Sequence, residues 1–355
     1  MKRISAVVCE LNPAHEGHKY IFSRASEFGD VVVAIMSGNF VQRGENAIYD
    51  KYRRAESAID IGADLVLELP FPWSCASAQY FSAASVSIAE SIGCTDLVFG
   101  SECGDLDALR AAADVMSEEQ FNSIIPGHER AAEYREQLLH TVLPGLPGNI
   151  LSSANDILGI EYIRNLVGAK PHPIKRISCH SASSIRESMK LDSQIHENAV
   201  FYNSLADVIY MNLRCKQSPD FITAESVGGV GMRLYKAAMS SLNGEEMLVN
   251  AATKQYTNAR LKRCGLFYIT DVMKEDLEKK PLFTNVLAFN EKGRDYLSSL
   301  RKNCQIELLT KPSSYKELND DALKQAEKNI FADTIYAMIS QRNADFFVKH
   351  NPIIK

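Results

Sequence analysis

Two histidines near the start of the chain are the side chains best suited to chemistry. His15 and His18 lie in the stretch NPAHEGHKY, three positions apart, with Gly17 between them. The apolar run from Ile4 to Cys9 precedes them and predicts a buried strand. The residues that follow have the spacing of an amphipathic helix, which we expect to begin near Gly17. The histidines therefore belong to a connection between a strand and a helix.

A helix that begins at this connection offers an anion site. Its first backbone N–H groups lack partners inside the helix, and its dipole places partial positive charge at that end. Gly17 leaves room for a phosphate to approach, and neutral imidazoles can donate hydrogen bonds to phosphate oxygens. Two other interpretations are a zinc site, although no H-E-x-x-H and no Cys/His cluster is present, and a purely structural role. We favour phosphate binding.

Composition and charge set the class of protein. The chain has 355 residues, of which 46% are hydrophobic and 23% charged, enough for two domains and a sizeable core. A formal net charge of −5 argues against nonspecific binding of nucleic acid or membranes by the whole surface. The eight cysteines include no C-x-x-C pair and suit a reducing compartment. With no signal peptide and no membrane span in the sequence, we expect a soluble, cytoplasmic protein.

The first half of the chain predicts a parallel sheet. Short β-branched runs alternate with segments of helical spacing, which is typical of strands buried on both faces and wrapped by helices. Beyond the first strand we expect strands at Val31 to Met36, Asp64 to Leu69, Asp96 to Gly100 and Ile174 to Ser178. Ligands of such sheets bind at the carboxyl ends of the strands.

The second half has a different character. After about residue 190 helical segments dominate, and only NVLAFNEKGRDYLSSL and CQIELLT suggest a small strand–helix–strand element. Residues 1–190 carry 17 Lys and Arg against 24 Asp and Glu, whereas the rest carry 22 against 20. We predict two domains, an α/β domain at residues 1–190 and a mainly helical domain with a small α/β element at 191–355. The change in charge favours a different partner for the second domain.

Polar motifs follow two of the other strands. The stretch MSGNFVQRGE after the second strand places Asn39, Gln42 and Arg43 on a loop that could recognise a small carboxylate or a cytidine, or could simply be solvated. After the fourth strand, Gly100 permits close backbone approach to a nucleotide, and Ser101 could bind ribose or phosphate.

Two further stretches have the residue pattern of helix N-termini. In SSANDILGIEYI, Asn155 or Asp156 could be no more than a helix cap. In RISCHSASSIR, after the fifth strand, Ser183 and Ser184 could cap a helix that faces phosphate. Arg186, one turn further on, could reach the same oxygens.

One basic stretch in the second half could contact RNA. KQYTNARLKR groups Lys254, Arg260, Lys262 and Arg263 near Tyr256. Cationic side chains beside an aromatic ring can bind phosphates and stack on a base. A charged run of this kind can equally be a solvated helix face.

Taken together, the motifs resemble a known family. ELNPAHEGHKY, MSGNFVQRGE, DLVLELPFPWSCASA, LVFGSE and NDILGIEYI occur in an order and spacing similar to those of the bacterial tRNA(Met) cytidine acetate ligase family, within the nucleotidyltransferase superfamily. KRISCHSASSIRESM, KQYTNARLKR and LAFNEKGRDYL continue the resemblance over nearly the whole chain. Here the linker from Arg176 to Ser181 is shorter than is usual in that family, and Ser183 takes the place of a threonine.

The resemblance implies a Rossmann-like nucleotidyltransferase domain and an ATP-dependent ligase. The family uses Mg²⁺–ATP and acetate to form acetyl-adenylate and acetylates the exocyclic amine of the wobble cytidine in elongator tRNA(Met), with release of AMP and diphosphate. It implies that His15 and His18 are catalytic, with no metal site, membrane or protein partner inferred. The ATP contacts that it implies, together with those suggested by the motifs, are Val7, Val8, Cys9, Glu10, Leu11, Asn12, Pro13, Ala14, Glu16, Gly17, Lys19, Tyr20, Gly100, Ser101, Asn155, Arg176, Ser183, Ser184 and Arg186.

Two functional alternatives remain at the level of the sequence. An adenylyltransferase acting on a small phosphorylated coenzyme precursor shares the first motif, but it has no need of residues 191–355. A noncatalytic RNA-binding protein with a degenerate nucleotide site would not be expected to keep both histidines. No dedicated base for the cytidine amine stands out, and Glu10, Glu16 and Glu45 are candidates by proximity.

Overall fold

A computed structural model of the chain describes residues 2–117, 131–148, 150–191, 198–216, 223–253, 255–300 and 304–355. Its strands are β1 (Ile4–Cys9), β2 (Val31–Ser37), β3 (Phe40–Val41), β4 (Glu45–Asn46), β5 (Leu65–Leu69), β6 (Asp96–Ser101), β7 (Lys170–Lys175), β8 (Phe283–Phe289), β9 (Glu307–Leu309) and β10 (Ile353–Ile354).

Helices surround these strands. They are α1 (Glu16–Phe28), α2 (Lys51–Asp60), α3 (Ala78–Ser91), α4 (Leu106–Ser117), α5 (Ala131–Val142), α6 (Ala154–Asn165), α7 (Ala182–Leu191), α8 (Tyr202–Arg214), α9 (Val230–Ser240), α10 (Gly244–Ala251), α11 (Asn258–Ile269), α12 (Lys274–Glu278), α13 (Glu291–Leu300), α14 (Asp320–Ile339) and α15 (Phe346–Lys349). None of the helices in these ranges is long and apolar enough to cross a membrane.

The main sheet is doubly wound. Its strand order is β10-β8-β5-β2-β1-β6-β7, with β9 beside β8, and every pair is parallel except β5 with β8. The chain starts in the middle at β1, winds outward through β2 and β5, then returns to the other side at β6 and β7. This reversal creates a crevice at the carboxyl end of β1, where ligands of such sheets bind. The predicted α/β fold with a parallel sheet is confirmed.

Four of the five predicted strands are confirmed to within a residue at either end. β1, β2, β5 and β6 are short apolar runs, and nearly all of their side chains are buried on both faces. The fifth strand lies earlier than predicted, at β7 rather than Ile174 to Ser178. Its sequence KPHPIK contains two prolines, which an edge strand tolerates because one side of its backbone is unpaired.

The predicted strand–helix–strand element is present as β8, α13 and β9, but it extends the main sheet. β8 pairs antiparallel with β5, and Val66 of β5 lies opposite Ala288. The sequence placed this element in the second domain, because its pairing partner lies more than 200 positions away. The sheet thus spans the predicted boundary at 190/191, and the division into two domains stays a prediction.

A buried ionic cluster attaches the long helix α14 to the sheet. Lys51 Nζ donates to Glu68 Oε1 at 2.9 Å and to Asp333 Oδ2 at 2.6 Å, and all three side chains are buried. A buried charge is tolerated only when it is paired and hydrogen-bonded. The cluster therefore fixes the end of the chain against the strands that carry the crevice.

Candidate active site

One buried side chain holds the carboxyl ends of β1 and β2 together. Arg54 is 2% exposed, and its Nη1 donates to the backbone carbonyls of Glu10 (2.7 Å) and Ser37 (3.0 Å). Its Nη2 donates to the carbonyl of Gly38, and its Nε to that of Tyr49 at 2.9 Å. The carbonyls of Glu10 and Gly38 directly follow β1 and β2, that of Ser37 ends β2, and the guanidinium binds all three. The edge of the crevice is thereby fixed.

The two histidines cap helix α1. His15 is its N-cap residue, and His15 Nδ1 accepts a hydrogen bond from the Gly17 N–H at 3.1 Å. His18 Nδ1 accepts in turn from the His15 N–H at 3.3 Å, and the ring centroids lie 3.9 Å apart. This is a reciprocal capping box built from two imidazoles. The predicted helix start near Gly17 is confirmed, and the histidines form that helix end.

The capping bonds determine which ring nitrogen carries the hydrogen. Because each Nδ1 accepts a hydrogen bond, the hydrogen of each neutral ring lies on Nε2. Burial and the charge of Arg176 lower the pKa of His15, while burial and the neighbouring His15 lower the pKa of His18 to about 3. Neither Nε2 has a hydrogen-bond partner among the residues that the structure describes. Two neutral N–H donors are therefore available to a ligand.

Gly17 is required by the histidine pair. A Cβ at this position would lie 2.9 Å from His15 Cε1 and 3.1 Å from Cys179 Sγ, closer than most real contacts. We predicted that the missing side chain leaves room for a phosphate. The structure shows that it first leaves room for the His15 ring and the Cys179 thiol.

A cavity of about 460 Å³ opens beside this helix end, at the carboxyl edge of β1 and β6. We call it the main cavity, and its volume lies within the roughly 300–1,000 Å³ of small-molecule sites. The predicted site residues that line it are Val7, Val8, Cys9, Glu10, His15, Gly17, His18, Tyr20, Gln42, Arg43, Gly100, Asn155 and Arg176. The sheet therefore brings together motifs that lie up to 170 positions apart in the sequence.

Other predicted ATP contacts lie near the main cavity without lining it. They are Leu11, Asn12, Pro13, Ala14, Glu16, Lys19, Ser101, Ser183, Ser184 and Arg186. Leu11 is buried with φ +49°, a left-handed backbone that is strained for leucine. Asn12 Oδ1 accepts from the Ile48 N–H at 2.8 Å. These two residues shape the connection, and direct contact with ATP stays a prediction.

Glu102, which the sequence analysis did not single out, organises the far wall of the main cavity. Its carboxylate accepts hydrogen bonds from Asn155 Nδ2 at 2.7 Å, from the Asn155 backbone N–H at 3.1 Å and from Arg176 Nη1 at 3.0 Å. It therefore caps α6 and orients two residues of the cavity lining. The available signal was an acidic residue directly after β6, in FGSE, at the carboxyl edge of the sheet.

The Ser101 hydroxyl has a structural role. Ser101 is fully buried, its Oγ donates to Asp156 Oδ1 at 2.5 Å, and it accepts from the Gly104 N–H at 2.8 Å. The predicted contact of Ser101 with ribose or phosphate is not supported, because the hydroxyl is already used inside the protein. Asp156 also accepts a hydrogen bond from the Cys103 N–H at 3.1 Å, so it supports the loop after β6 and is not the cap of α6.

Two polar groups of the loop after β2 face the main cavity. The Gln42 N–H donates to Glu10 Oε1 at 2.7 Å, and burial raises the pKa of Glu10. The side chain of Arg43 is exposed and has no ion-pair partner in the described part of the chain. A carboxylate or a phosphate is the ligand that such an arginine binds best.

Asn39 does not face the main cavity. It is 2% exposed, its Nδ2 donates to Asp333 Oδ1 at 2.8 Å, and its Oδ1 accepts from the Lys51 N–H at 2.8 Å. The prediction that Asn39 recognises a substrate is not supported. Its partner on α14 lies nearly 300 residues away, so the local pattern could not show that the amide is buried.

The serine–arginine motif reaches the same region with a shifted cap. α7 begins at Ala182, and Ser181 Oγ accepts from the Ser184 N–H at 3.1 Å. Ser181 is therefore the capping residue, because the helix begins earlier than the sequence suggested. Arg186 Nη1 donates to the carbonyl of Asn12 at 2.6 Å. Arg186 thus reaches the tip of the first connection despite the short linker.

The basic residues of α11 are paired inside the protein. Glu225 binds Arg263 Nε at 2.7 Å and lies 3.7 Å from Arg260 Nε, while Lys262 Nζ binds Glu45 Oε1 at 2.5 Å. These three cationic side chains are only 12–17% exposed. They do not form the free basic face that we predicted for RNA, and a contact with RNA would require exchange of these ion pairs.

The tyrosine of the same motif is also hydrogen-bonded within the protein. The Tyr256 hydroxyl donates to the carbonyl of Gly228 at 2.5 Å. Lys254 lies outside the described residues. The assignment of this stretch to RNA stays a prediction.

Helix α11 supports the hairpin β3–β4. Gly44, at the hairpin turn, has φ +74°, and a Cβ there would lie 2.5 Å from the backbone nitrogen of Arg263. The Lys262–Glu45 ion pair joins the same two elements. The basic helix therefore positions the loop that carries Arg43.

Comparison with known proteins gives a consistent result. A model of the HIGH Nucleotidyl Transferase family matches residues 1–350. The tRNA(Met) cytidine acetate ligase of Limosilactobacillus reuteri is 33% identical over 100% of both chains, and that of Acetivibrio thermocellus is 31% identical over 95% of both. The crystal structure of Thermotoga maritima TmcAL bound with alpha-thio ATP matches with a TM-score of 0.89 and 29% identity over 99% of both chains.

These matches extend over both halves of the chain. They include the helical segments after residue 190 as well as the sheet, so neither the coenzyme adenylyltransferase nor the noncatalytic RNA-binding protein is favoured. The resemblance inferred from the motifs is confirmed. The chain belongs to the tRNA(Met) cytidine acetate ligase family of HIGH nucleotidyl transferases.

Proposed function

We propose that this chain is an ATP-dependent ligase that acetylates the wobble cytidine of elongator tRNA(Met) with acetate. Relatives matching nearly its full length carry the name tRNA(Met) cytidine acetate ligase, and the matching T. maritima structure is bound to an ATP analogue. One observation carries the proposal: two neutral Nε2–H donors lie at the N-terminus of α1, at the edge of a cavity at the switch point of the sheet.

ATP occupies the main cavity in this proposal. The triphosphate lies at the start of α1, where the helix dipole and the Nε2–H groups of the two capping histidines favour an anion. The adenosine lies towards Gly100 and Asn155, on the wall that Glu102 organises. A Cβ at Gly100 would meet only side chains, at 3.7 Å, so the glycine leaves open space on the cavity side.

The first step activates acetate. One acetate oxygen attacks the α-phosphorus, the bond from that phosphorus to the oxygen bridging the β-phosphate breaks, and diphosphate leaves. His15 and His18 donate hydrogen bonds to oxygens on which negative charge increases, and their neutrality avoids the desolvation of two cations. Arg43 and the Gln42 loop stand where a small carboxylate can be held.

The second step transfers the acetyl group. The cytidine amine attacks the carbonyl carbon of acetyl-adenylate, the bond from that carbon to the adenylate oxygen breaks, AMP leaves, and the amine nitrogen loses one proton. Glu16 is exposed and outside the cavity lining, and Glu45 is paired with Lys262. Glu10 lines the main cavity, and burial raises the pKa of its carboxyl. The geometry therefore favours Glu10 among the three candidate bases.

Mg²⁺ enters this proposal as part of the substrate Mg²⁺–ATP. In the ranges that the structure describes, no group of three or more His, Cys, Asp or Glu side chains is arranged to hold a metal ion. Mg²⁺ commonly binds phosphates and water with few protein ligands, and it neutralises phosphate charge. The protein residues of the main cavity fit such a complex without supplying a cage.

Mass spectrometry of tRNA nucleosides tests the function. The purified protein is incubated with Mg²⁺–ATP, acetate and unmodified tRNA(Met) transcript, and the digest is searched for N4-acetylcytidine. We expect one acetylcytidine per tRNA, at the wobble position, formed only when both acetate and ATP are present. A transcript with uridine at that position is the matched control. Absence of acetylcytidine from the complete reaction would refute the proposal.

A further inference from the structure

A second, smaller cavity lies beside the main cavity and shares Arg43 with it. We call it the side cavity; it measures about 260 Å³ and is walled by β4, α7 and the start of α8. Its volume is below the roughly 300–1,000 Å³ typical of small-molecule sites, which suits one nucleoside better than a nucleotide triphosphate. A ligand in the side cavity would meet a ligand in the main cavity at Arg43.

The charges of the side cavity suit a polynucleotide at its rim. Arg43, Arg186 and Lys190 contribute cations, and the ion pair of Lys190 with Glu245 at 3.2 Å is exposed to solvent. Of its two carboxylates, Glu45 is neutralised by Lys262, and Glu187 is exposed at the surface. Because most contacts between proteins and nucleic acids go to phosphates, cations around a small pocket are the expected setting for a single extruded base.

The wall of the side cavity contains polar groups that match a pyrimidine. Asn46 Nδ2 donates to the carbonyl of Val200 at 2.8 Å, which fixes the amide and leaves Oδ1 as an acceptor. Asn46 Oδ1 and the Tyr202 hydroxyl are buried and have no hydrogen-bond partner in the described part of the chain. Both atoms have almost no accessible surface, so a ligand reaches them only when the wall opens, and it then gains because a buried polar atom without a partner is costly.

Cytosine offers complementary groups. Its Watson–Crick edge carries an amine that donates and a ring nitrogen and a carbonyl that accept, which an acceptor such as Asn46 Oδ1 and a donor such as the Tyr202 hydroxyl can bind. Phe201 and Tyr202 also bring two aromatic rings to the wall, and unpaired RNA bases commonly stack on such rings.

We propose that the side cavity binds the acceptor cytidine, with Arg43 at the junction through which its amine meets the activated acetyl group. This assignment rests on the proposed function, because it names the place of that reaction's second substrate. It also gives α11 a role, since the Lys262–Glu45 pair and the contact of Lys262 with the Tyr202 ring, 4.3 Å from its centroid, support one wall of the side cavity.

A pair of neighbouring substitutions tests the assignment. Asn203 and Ser204 are both exposed in the first turn of α8, but only Asn203 lines the side cavity. Asn203→Trp fills the side cavity, and Ser204→Trp is the matched control. Acetate-dependent exchange of labelled diphosphate into ATP reports the first step and the fold of the main cavity. Single-turnover acetylation of tRNA(Met) by preformed acetyl-adenylate reports the second step.

We expect Asn203→Trp to slow acetyl transfer by about 10²-fold, the usual cost of misplacing a reacting group, while diphosphate exchange stays within about twofold of wild type. Ser204→Trp should leave both reactions near wild type. Normal transfer by Asn203→Trp would overturn the assignment, and so would a parallel loss of exchange, because the position would then serve ATP. A wild-type protein without acetate-dependent exchange would instead remove the proposed function.

Discussion

The start of α1 and the start of α11 both contain sequence motifs that predict ligand binding. In the structure, however, the side chains of the two motifs have opposite environments. At α1 the imidazoles of His15 and His18 bond to the backbone through Nδ1, and their Nε2–H groups, beside a cavity, have no partner among the described residues. At α11, Arg260 and Arg263 are both bound by Glu225. Residue type and spacing therefore identify groups that are capable of binding a ligand. The hydrogen-bond and ion-pair partners of those groups determine which of them remain available to that ligand.

The physical reason lies in charge. A guanidinium that is nearly buried uses its N–H donors on acceptors of the protein, as Arg263 does on Glu225 and Arg54 on backbone carbonyls, because an uncompensated buried charge is strongly unfavourable. A neutral imidazole has no such requirement, so it can cap a helix and still offer a donor to a ligand. The two helices therefore predict different consequences of substitution: loss of activity at α1 and loss of stability at α11.

The largest expected effect is that of His18→Ala on the first step. Losing one donor to the developing charge should slow acetate-dependent diphosphate exchange by about 10²–10³-fold, roughly 3–4 kcal/mol. Loss of the capping bond should cost only about 1 kcal/mol of folding free energy. Steady-state exchange and urea unfolding measure the two quantities separately.

Arg24→Ala is the control for this prediction. Arg24 lies on the same helix, its side chain is 39% exposed, and within the described residues its ion-pair partner is Glu27, so both quantities should stay near wild type. A His18→Ala protein with exchange within a few-fold of wild type would show that the free imidazole nitrogen takes no part in the reaction.

Glu225→Ala should have the next largest effect, this time on stability. It leaves Arg260 and Arg263 without their carboxylate, at side-chain exposures of 13% and 12%, and should lower the free energy of unfolding by roughly 3 kcal/mol. Glu278→Ala is the control, because its pair with Lys274 is exposed to solvent and its loss should lower the free energy of unfolding far less. Equal, small losses for both variants would mean that the α11 arginines do not depend on Glu225.

The sequence was sufficient where local pattern determines the outcome. Ile4–Cys9 is apolar, β-branched and followed closely by the histidine motif, so the strand and the helix start could both be predicted. The same holds for Gly100, which ends a predicted strand and lines the main cavity, whereas Asn155 was placed in the site by the family resemblance and not by its local pattern.

The sequence was insufficient where a partner lies far away in the chain. In the sequence Asn39 resembles a solvated loop residue, but in the structure its amide is bonded to Asp333. Likewise β8 resembles part of a separate element, but it pairs with β5. Glu102 was missed for the same reason, because its importance lies in its bonds to Asn155 and Arg176. No periodicity or motif spacing encodes such pairings.

A third prediction uses the lowered pKa of His18. A histidine that stays neutral in the folded state but titrates near pH 6.5 when unfolded contributes stability above that pH and loses it as the pH falls towards 3. Between pH 7 and pH 5 the wild type should therefore lose about 1 kcal/mol more than His18→Asn, a value discounted for partial exposure of the ring. Urea unfolding at both pH values measures the difference, in which the other titrating groups cancel. An equal loss in the two proteins would show that His18 titrates normally.

The smallest expected effect is on the salt dependence of tRNA binding, which shows which basic residues contact RNA. If Lys190 at the side cavity contacts a tRNA phosphate and Arg260 does not, Lys190→Ala should reduce the slope of log K for tRNA(Met) against log salt by about 0.7, and Arg260→Ala should leave the slope unchanged. Binding titrations over a range of KCl concentrations measure these slopes. A reduction of the same size for Arg260→Ala would restore α11 as a direct RNA surface.

In the proposed first step an acetate oxygen attacks the α-phosphate at the tip of the first strand–helix unit. Turnover with ¹⁸O-labelled acetate and tRNA(Met), followed by mass spectrometry of the products, tests this directly. We expect one ¹⁸O atom in the AMP and none in the diphosphate, because acetyl transfer leaves one acetate oxygen on the α-phosphorus. Unlabelled AMP, or label in the diphosphate or in free phosphate, would contradict the attack on the α-phosphate.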